Sequence, residues 1–230
     1  MIHIEQFTFN AFQTRCCIVW NDEKFCAFVD PGCASTEELS RLTDFISRNE
    51  LKPVCIMLTH AHFDHIYGVS GISKYYGNLP VYMDMEEMYT IENTNPYVCK
   101  AYGLPFPDTS FTQESDEDGI LKAAKDGEVI EVGNLKFRIL GTPGHSRGGL
   151  CFYEAAEKVL FSGDTLFAGS IGRTDHPGGD YDQLMKSIFE KLMDLDGPVK
   201  VIPGHGPCSD IATERTTNPF LQPFNEPFEE

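Results

Sequence analysis

Three imidazoles and a carboxylate fall within six consecutive residues, in the segment HAHFDH at positions 60–65. The chain has 230 residues and 7 histidines, so this short segment holds nearly half of them. A neutral imidazole offers a lone pair to a metal ion near neutral pH, which makes histidine the commonest metal ligand. Imidazoles packed this closely would repel one another if they were protonated. The segment therefore predicts metal ligands at His60, His62, Asp64 and His65.

Three further donors each follow a predicted strand and stand beside a glycine, namely His145, Asp164 and His205. Glycine lets the backbone turn sharply and approach a ligand closely. With the segment at 60–65 they make five histidines and two aspartates, whereas a tetrahedral zinc takes about four ligands. Such a set suits two metal ions about 3.5–4 Å apart that share a carboxylate. An isolated histidine is usually an ordinary surface or core residue, which is our interpretation of His3 and His176.

Strands and amphipathic helices are predicted to position these donors. Apolar runs predict strands at 16–20, 25–30, 54–58, 159–161 and 199–202, and alternating apolar and charged residues predict a half-buried strand at 135–139. Helices are indicated after a capping box of Ser35 and Glu38, and by apolar residues at helical spacing over 184–193. Because both halves of the chain combine strands with amphipathic helices, we expect two sheets face to face with helices outside. The prediction is an α/β fold, a four-layer αββα sandwich forming one domain over residues 1–230.

Residues 84–128 fit this pattern less well. A helix is predicted to begin at Met85 and to be interrupted at Pro96 and at the prolines beyond it. The acidic run at 114–118 predicts an exposed loop. The apolar stretch at 97–106 is either part of an ordinary insertion or a lid over the site, since long insertions in compact domains are often functional.

The amino-acid composition argues against some classes of partner and indicates a cellular compartment. Lys and Arg number 18 against 35 Asp and Glu, which gives a net charge of -17. Such a charge argues against nucleic acids and against anionic membrane surfaces. No run approaches the roughly 20 apolar residues of a membrane span, and residues 1–5 do not resemble a signal peptide. The eight scattered cysteines without a C-x-x-C pair predict reduced thiols in a cytoplasmic protein. The expected partner is a small molecule.

The segment THAHFDH at 59–65 resembles the T-H-x-H-x-D-H signature of the metallo-β-lactamase superfamily. The resemblance continues in order through Gly144-His145, Gly163-Asp164 and Gly204-His205. It implies the αββα fold and a division of the ligands between two metals. By resemblance, the first metal is held by His60, His62 and His145, the second by Asp64, His65 and His205, and Asp164 bridges both.

The same comparison favours one branch of the superfamily. Oxygen-reducing di-iron members carry Glu where His62 stands, antibiotic-degrading lactamases typically carry Cys in place of Asp164, and nuclease members bind polyanions that the charge opposes. The set resembles glyoxalase II-like hydrolases, and the residues from 203 to 220 are similar to small single-domain members of that group. The resemblance implies thioester cleavage by a metal-bridging hydroxide, which Asp64 would orient or deprotonate.

Two departures bear on the substrate. Glyoxalase II proper has a glutathione-binding helical domain after its last histidine ligand, whereas 25 residues follow His205 here. Arg173 matches a basic residue that binds the glutathione carboxylate, but Asp175 replaces an aromatic residue two positions on. Arg173 is therefore either a substrate-binding residue or part of a structural salt bridge with Asp175 or Asp180. Asp30 either supports a ligand histidine or only forms a turn.

Three functions remain open. The preferred one is a hydrolase with two divalent ions per chain, zinc first, with iron or manganese as alternatives because these N and O ligands accept several metals. The second is a persulfide dioxygenase with one iron, which in that family uses only His60, His145 and Asp164. The third is a metal-binding module without catalysis. His205 within Pro-Gly-His-Gly favours the hydrolase, and the oligomeric state is left open.

Overall fold

The computed structural model describes residues 1–113 and 119–222. The strands are β1 (His3–Phe9), β2 (Thr14–Trp20), β3 (Phe25–Val29), β4 (Lys52–Met57), β5 (Val81–Met83), β6 (Leu121–Ala123), β7 (Val129–Val132), β8 (Leu135–Gly141), β9 (Leu150–Glu154), β10 (Val159–Gly163), β11 (Leu166–Phe167), β12 (Ser170–Ile171), β13 (Lys200–Pro203) and β14 (Ser209–Asp210). The α-helices are α1 (Thr36–Arg48), α2 (Phe63–Ile66), α3 (Val69–Tyr75), α4 (Asn95–Tyr102), α5 (Tyr181–Ser187) and α6 (Ile211–Thr217). Short 3₁₀ turns cover Met85–Glu87 and Ser110–Thr112, and π-helical turns cover Thr90–Thr94 and Ile188–Leu192.

Twelve of the strands form two six-stranded sheets, one from each half of the chain, and β11 pairs with β12 in a separate two-stranded sheet. The first has the order β1-β2-β3-β4-β5-β6, and the second has the order β14-β13-β10-β9-β8-β7. Four pairs are parallel, namely β3–β4, β4–β5, β5–β6 and β10–β13, whereas the remaining pairs are antiparallel. Parallel strands are buried on both faces, which explains why β4 and β10 are nearly continuous apolar runs.

Three apolar layers hold the sheets and helices together. The central layer lies between the sheets and joins residues such as Val29 and Phe137. A second layer packs α1 against the outer face of the first sheet, with Leu42 and Phe28 in one cluster. A third packs α5 against the outer face of the second sheet, around Leu184. The predicted four-layer αββα sandwich is confirmed.

Helix α1 shows how the sequence pattern is realised. The Ser35 hydroxyl accepts a hydrogen bond from the Glu38 amide at 3.2 Å, as a capping box requires. The Glu38 carboxylate does not return to Ser35. It accepts from the amides of Ala34 and Asn10, each at 2.7 Å, and so ties the helix start to the end of β1.

The region at 84–128 differs from its prediction. Helical turns do begin at Met85, but Pro96 does not interrupt them. It lies in the first turn of α4, where a missing N–H removes no helical hydrogen bond, so the predicted interruption is wrong there. The helix ends at Gly103, whose φ of 65° is left-handed. The acidic run at 114–118 lies outside the described residues, and the lid stays a prediction.

The thiols agree with the sequence-based expectation. All eight cysteines are free, with no disulfide in the described part of the chain, and all but Cys208 are buried. Burial raises the pKa of Cys26 and of Cys55 to about 12, so both remain protonated at physiological pH. Over residues 1–113 and 119–222, no helix is long and apolar enough to cross a bilayer.

Candidate metal centre

The donors predicted from the sequence meet at one edge of the two sheets. The segment at 60–65 follows β4, His145 follows β8, Asp164 follows β10 and His205 follows β13. Strand β4 runs parallel to β3, and β10 runs parallel to β13. Carboxyl ends of parallel strands lie at the same edge of a sheet, where α/β proteins usually place their sites. All seven donors come together there.

The first trio consists of His60, His62 and His145, whose ligand atoms lie within 4.8 Å of one another. His62 Nδ1 is 2.9 Å from His145 Nε2. His145 Nδ1 is 2.8 Å from the carbonyl oxygen of Arg173. Because a carbonyl only accepts, His145 carries its proton on Nδ1 and presents a bare lone pair at Nε2.

His60 is prepared in the same way. Its Nδ1 is 3.1 Å from the hydroxyl oxygen of Thr59, and that hydroxyl donates to Asp30 at 2.6 Å. The proton of His60 therefore lies on Nδ1. Its Nε2 is buried and has no hydrogen-bond partner among the described residues. Burial and the neighbouring rings lower the pKa of His60 and His62 well below the ordinary value, so both rings are neutral and free to coordinate.

The second trio consists of Asp64, His65 and His205. His65 Nδ1 lies 3.1 Å from the Asp30 carboxylate, and His205 Nδ1 lies 3.1 Å from the carbonyl oxygen of Phe12. Both rings thus commit their Nδ1 proton to an acceptor, while their Nε2 atoms face each other at 3.3 Å. Two facing Nε2 atoms at this distance must share a proton or a metal ion. Asp64 Oδ2 is 3.5 Å and 3.4 Å from the same two nitrogens.

The electrostatics of the second trio also favour a cation. Burial alone would lower the pKa of His65, but Asp64, Asp164 and Asp30 outweigh it and raise the pKa to about 10. Burial alone would raise the pKa of Asp64, but the nearby His65 and His205 hold it below the usual range. Asp64 is therefore ionised and contributes a negative potential at the two imidazoles.

Asp164 lies between the two trios. Its Oδ2 is 3.5 Å from His145 Nε2 and 3.5 Å from His205 Nε2, and its Oδ1 is 3.6 Å from His65 Nε2. Oδ1 is buried without a hydrogen-bond partner in residues 1–113 and 119–222. A Cβ at Gly204 would overlap Asp164 Oδ1 and the His65 ring, so only glycine allows this approach. The donor set fits divalent metal ions bridged by one carboxylate.

Several residues that support the donors are absent from the sequence-based prediction. Thr14 donates its hydroxyl to Asp64 Oδ2 at 2.6 Å. Arg15 donates to the carbonyl oxygens of Pro203 and Gly206, which flank the loop carrying His205. The two Arg15 contacts cross nearly the whole chain, and no local pattern in the sequence indicates either them or the Thr14 contact. Asp30, which sequence alone left between two roles, contacts both Thr59 and His65.

His176 lies beside the first trio, although the sequence predicts that it is an ordinary surface or core residue. Its ring centroid is 4.7 Å from that of His62 and 5.0 Å from that of His145. Both of its ring nitrogens are buried without a hydrogen-bond partner among the described residues. Burial and the nearby His145 lower its pKa. The sequence feature that could have indicated this position is that His176 lies in the loop that follows Asp164.

Arg173 forms the salt bridge that the sequence left as one of two alternatives. Its guanidinium donates to both carboxylate oxygens of Asp175, at 2.7 and 2.9 Å, and both side chains are largely exposed. Exposed pairs of this kind contribute little to stability and exchange partners readily. Its backbone carbonyl orients His145, as described above. Substrate binding by its side chain stays a prediction.

Comparison with known proteins agrees with this geometry. A family model of the metallo-beta-lactamase superfamily matches residues 10–205. The chain is 36% identical over 225 residues to a Haemophilus influenzae protein named hydroxyacylglutathione hydrolase GloC, covering 96% of this chain and 98% of that protein.

Solved structures give the same result. One described as BLEG-1 B3 metallo-beta-lactamase is 34% identical with a TM-score of 0.83, covering 96% of this chain and 100% of that one. Another, TTHA1623 in a di-iron-bound form, is 33% identical with a TM-score of 0.79, covering 94% and 100%. The His and Asp clusters are those of a divalent metal site. The chain belongs to the metallo-beta-lactamase superfamily and is a metallo-hydrolase of that fold.

Proposed function

We propose that this protein is a dinuclear metal-dependent hydrolase that cleaves thioesters. The first metal ion would be held by His60, His62 and His145, and the second by Asp64, His65 and His205. The observation that carries the proposal is the position of Asp164, whose carboxylate lies between the two trios at 3.5 Å from a bare nitrogen in each. A bridging carboxylate is what a pair of ions requires and a single ion does not.

When bound, such ions lower the pKa of water so that hydroxide is available near neutral pH, and they polarise a carbonyl group. The chain's own residues hold this centre in one protonation state. Thr59, Asp30 and the carbonyl oxygens of Arg173 and Phe12 keep four imidazole protons on Nδ1. Asp64 stays ionised, and the hydroxyl of Thr14 orients its carboxylate. We also propose that Asp64 accepts a proton during catalysis.

The imidazole N–H groups that already donate to fixed acceptors also limit which leaving groups the site can serve. Four of the five trio imidazoles donate their Nδ1 proton to a fixed acceptor, at Thr59, Asp30, Arg173 or Phe12. With Nε2 used to hold a metal ion, none of these four rings would have a proton left for a leaving amine. A thiol has a pKa of about 8.5 and leaves as a thiolate without that help. This supports a thioester over an amide as the substrate.

The surroundings of the second trio support a small organic substrate. Phe12 is 44% exposed, and its ring packs edge-on against Phe63 at 5.0 Å. Phe167 lies 6.3 Å from the His205 ring. These rings offer an apolar wall beside the centre. The net charge of -17 supports a small-molecule partner over nucleic acid or membrane, and the cytoplasm remains the proposed compartment.

Zinc is the first choice of metal, with iron or manganese as alternatives. The donors are imidazoles and carboxylates, which accept all three ions. The similar structure in a di-iron-bound form supports two metals and also keeps iron as a candidate.

The test is an assay of metal-quantified enzyme on S-lactoylglutathione and on a series of acyl-glutathione and acyl-coenzyme A thioesters, following thiol release. Two metals per chain with thiol release is the expected result. Opening of a cephalosporin without thiol release would overturn the proposal, and the similarity to a protein named B3 metallo-beta-lactamase makes this arm necessary. One iron per chain with oxygen uptake on glutathione persulfide would overturn it in favour of a dioxygenase.

A further inference from the structure

Glu87 is a fully buried carboxylate that belongs to neither trio. It ends the 3₁₀ turn Met85–Glu87, which Asp84 caps by accepting from the Glu86 amide at 2.8 Å. The residue is 0% exposed. Glutamate is almost never fully buried without partners that compensate its lost hydration, so its contacts require an explanation.

Both carboxylate oxygens of Glu87 accept from backbone amides in the two loops that carry the first trio. Oε2 accepts from Ala61 N at 2.7 Å, and Ala61 lies between His60 and His62. Oε1 accepts from Gly148 N at 2.8 Å, three residues after His145. One side chain therefore joins the loop after β4 to the loop after β8. The first loop belongs to one sheet and the second to the other.

Asn95 completes the contacts of the first loop. Its Oδ1 accepts from Phe63 N at 3.0 Å, and its Nδ2 donates to Ala61 O at 2.8 Å. Together Glu87 and Asn95 satisfy three backbone groups on either side of His62. Asn95 is 0% exposed, so water does not compete for these bonds.

The use of a carboxylate at position 87 has a geometric reason. Burial raises the pKa of Glu87, and the amides of Ala61 and Gly148 oppose that rise. Two amide N–H donors that point at one side chain need two acceptor oxygens, and only a carboxylate supplies both. Glutamine would offer one oxygen and one NH₂ group, leaving one amide facing a donor.

We infer that Glu87 is a positioning residue that holds the loops of His60, His62 and His145 in one metal-binding arrangement, with Asn95 fixing the first loop. The inference rests on the proposed first metal site but not on the proposed substrate. It assigns a role to the segment from Met85 to Asn95, whose side chains bind backbone groups of residues close to the donors in sequence, namely Ala61, Phe63 and Gly148.

The test uses Glu87→Gln with Glu86→Gln as the matched control, since Glu86 is the exposed neighbour on the same turn. Each substitution is placed in a His205→Ala protein, which retains the first trio, and in a His62→Ala protein, which retains the second. Zinc affinity is measured by competition with a chromophoric chelator. The visible spectrum of the cobalt-loaded protein reports ligand geometry.

Residues that orient metal ligands typically change affinity by about 10–100-fold when they are replaced. Glu87→Gln is expected to lower the affinity of the His205→Ala protein by that factor and to alter its cobalt spectrum, with the His62→Ala protein unchanged. Glu86→Gln should change neither. Equal losses in both backgrounds, or an unchanged spectrum with a lower melting temperature alone, would reject the positioning role.

If Glu87→Gln fails to fold, Asn95→Asp is measured in its place. Its carboxylate still accepts from Phe63 N but repels Ala61 O, so the first-trio affinity should fall and the second should not. Unchanged first-trio affinity in this variant would reject the inference. Because the readouts are metal affinity and spectrum, they stand even if the enzyme cleaves no thioester.

Discussion

Replacing Asp30 with Asn should weaken the second metal ion while leaving the shape of the site intact. Asp30 accepts from Thr59 N at 2.8 Å, from the Thr59 hydroxyl at 2.6 Å and from His65 Nδ1 at 3.1 Å. In Asp30→Asn, the single oxygen must stay on Thr59 N, because a backbone amide can only donate. The new NH₂ group then faces His65 Nδ1.

A donor at that position forces His65 to accept at Nδ1. Its proton moves to Nε2, which is the atom that faces Asp64, Asp164 and His205. The ring must reverse this tautomer before it can bind a metal. Losing the acceptor that fixes a ligand tautomer typically costs about 10–100-fold in metal affinity. At about 1.4 kcal/mol per factor of ten, this amounts to about 1.4–2.8 kcal/mol.

Stepwise zinc affinities from chelator competition measure the effect, with Asp44→Asn as a control because Asp44 is exposed and remote from the donors. We expect the binding step at the second trio to weaken most in Asp30→Asn, and the step at the first trio to weaken less, because the Thr59 hydroxyl links Asp30 to His60. Thermal unfolding of the metal-free protein shows whether the fold persists. The tautomer argument is refuted if a folded Asp30→Asn protein binds both ions with the affinity of the unaltered protein.

Other predictions concern the shared ligand, the thiols and the core. Asp164→Ala should abolish binding of both ions, and a metal analysis that still finds two per chain would contradict the bridging role. Because buried Cys26 and Cys55 have a pKa of about 12, raising the pH from 7 to about 9 should not make them react with iodoacetamide in the native state. Mass spectrometry should find the label on Cys208 alone, and label on a buried cysteine would disprove this. Phe137→Ala should cost about 3–5 kcal/mol in denaturant unfolding, because Phe137 is 0% exposed between the sheets, and a cost below about 1 kcal/mol would count against it.

Much of the fold follows from local pattern. Apolar runs predict β4, β10 and β13, because a strand buried on both faces must be apolar along its length. Alternating apolar and charged residues predict β8, because only one of its faces is buried. The ends of the strands are predicted less accurately than their existence, as Pro53 shows. It was expected to precede a strand but lies within β4, where the pairing with β3 shifts register. The sequence predicts that Pro96 breaks a helix, because sequence alone does not show that a new helix begins at Asn95, directly before the proline.

The supporting residues could not be read from the sequence. Glu87 and Asn95 serve the donors by hydrogen bonds to backbone groups, and any residue can supply a backbone amide or carbonyl. Such a contact therefore leaves no pattern of residue types. His176 has the right residue type, but only the turn of its loop brings the ring beside His62.

By itself, the sequence indicated a metal site, since three imidazoles and a carboxylate in six residues are typical of metal ligands. It also determined the layered α/β architecture, since the period of its apolar residues selects strands and helices. Only the tertiary structure decided which nitrogen of each ring is free, and that Asp164 lies between the trios. Those properties depend on distances and acceptors contributed by distant parts of the chain, such as the 3.1 Å contact of His205 with Phe12 across 193 positions.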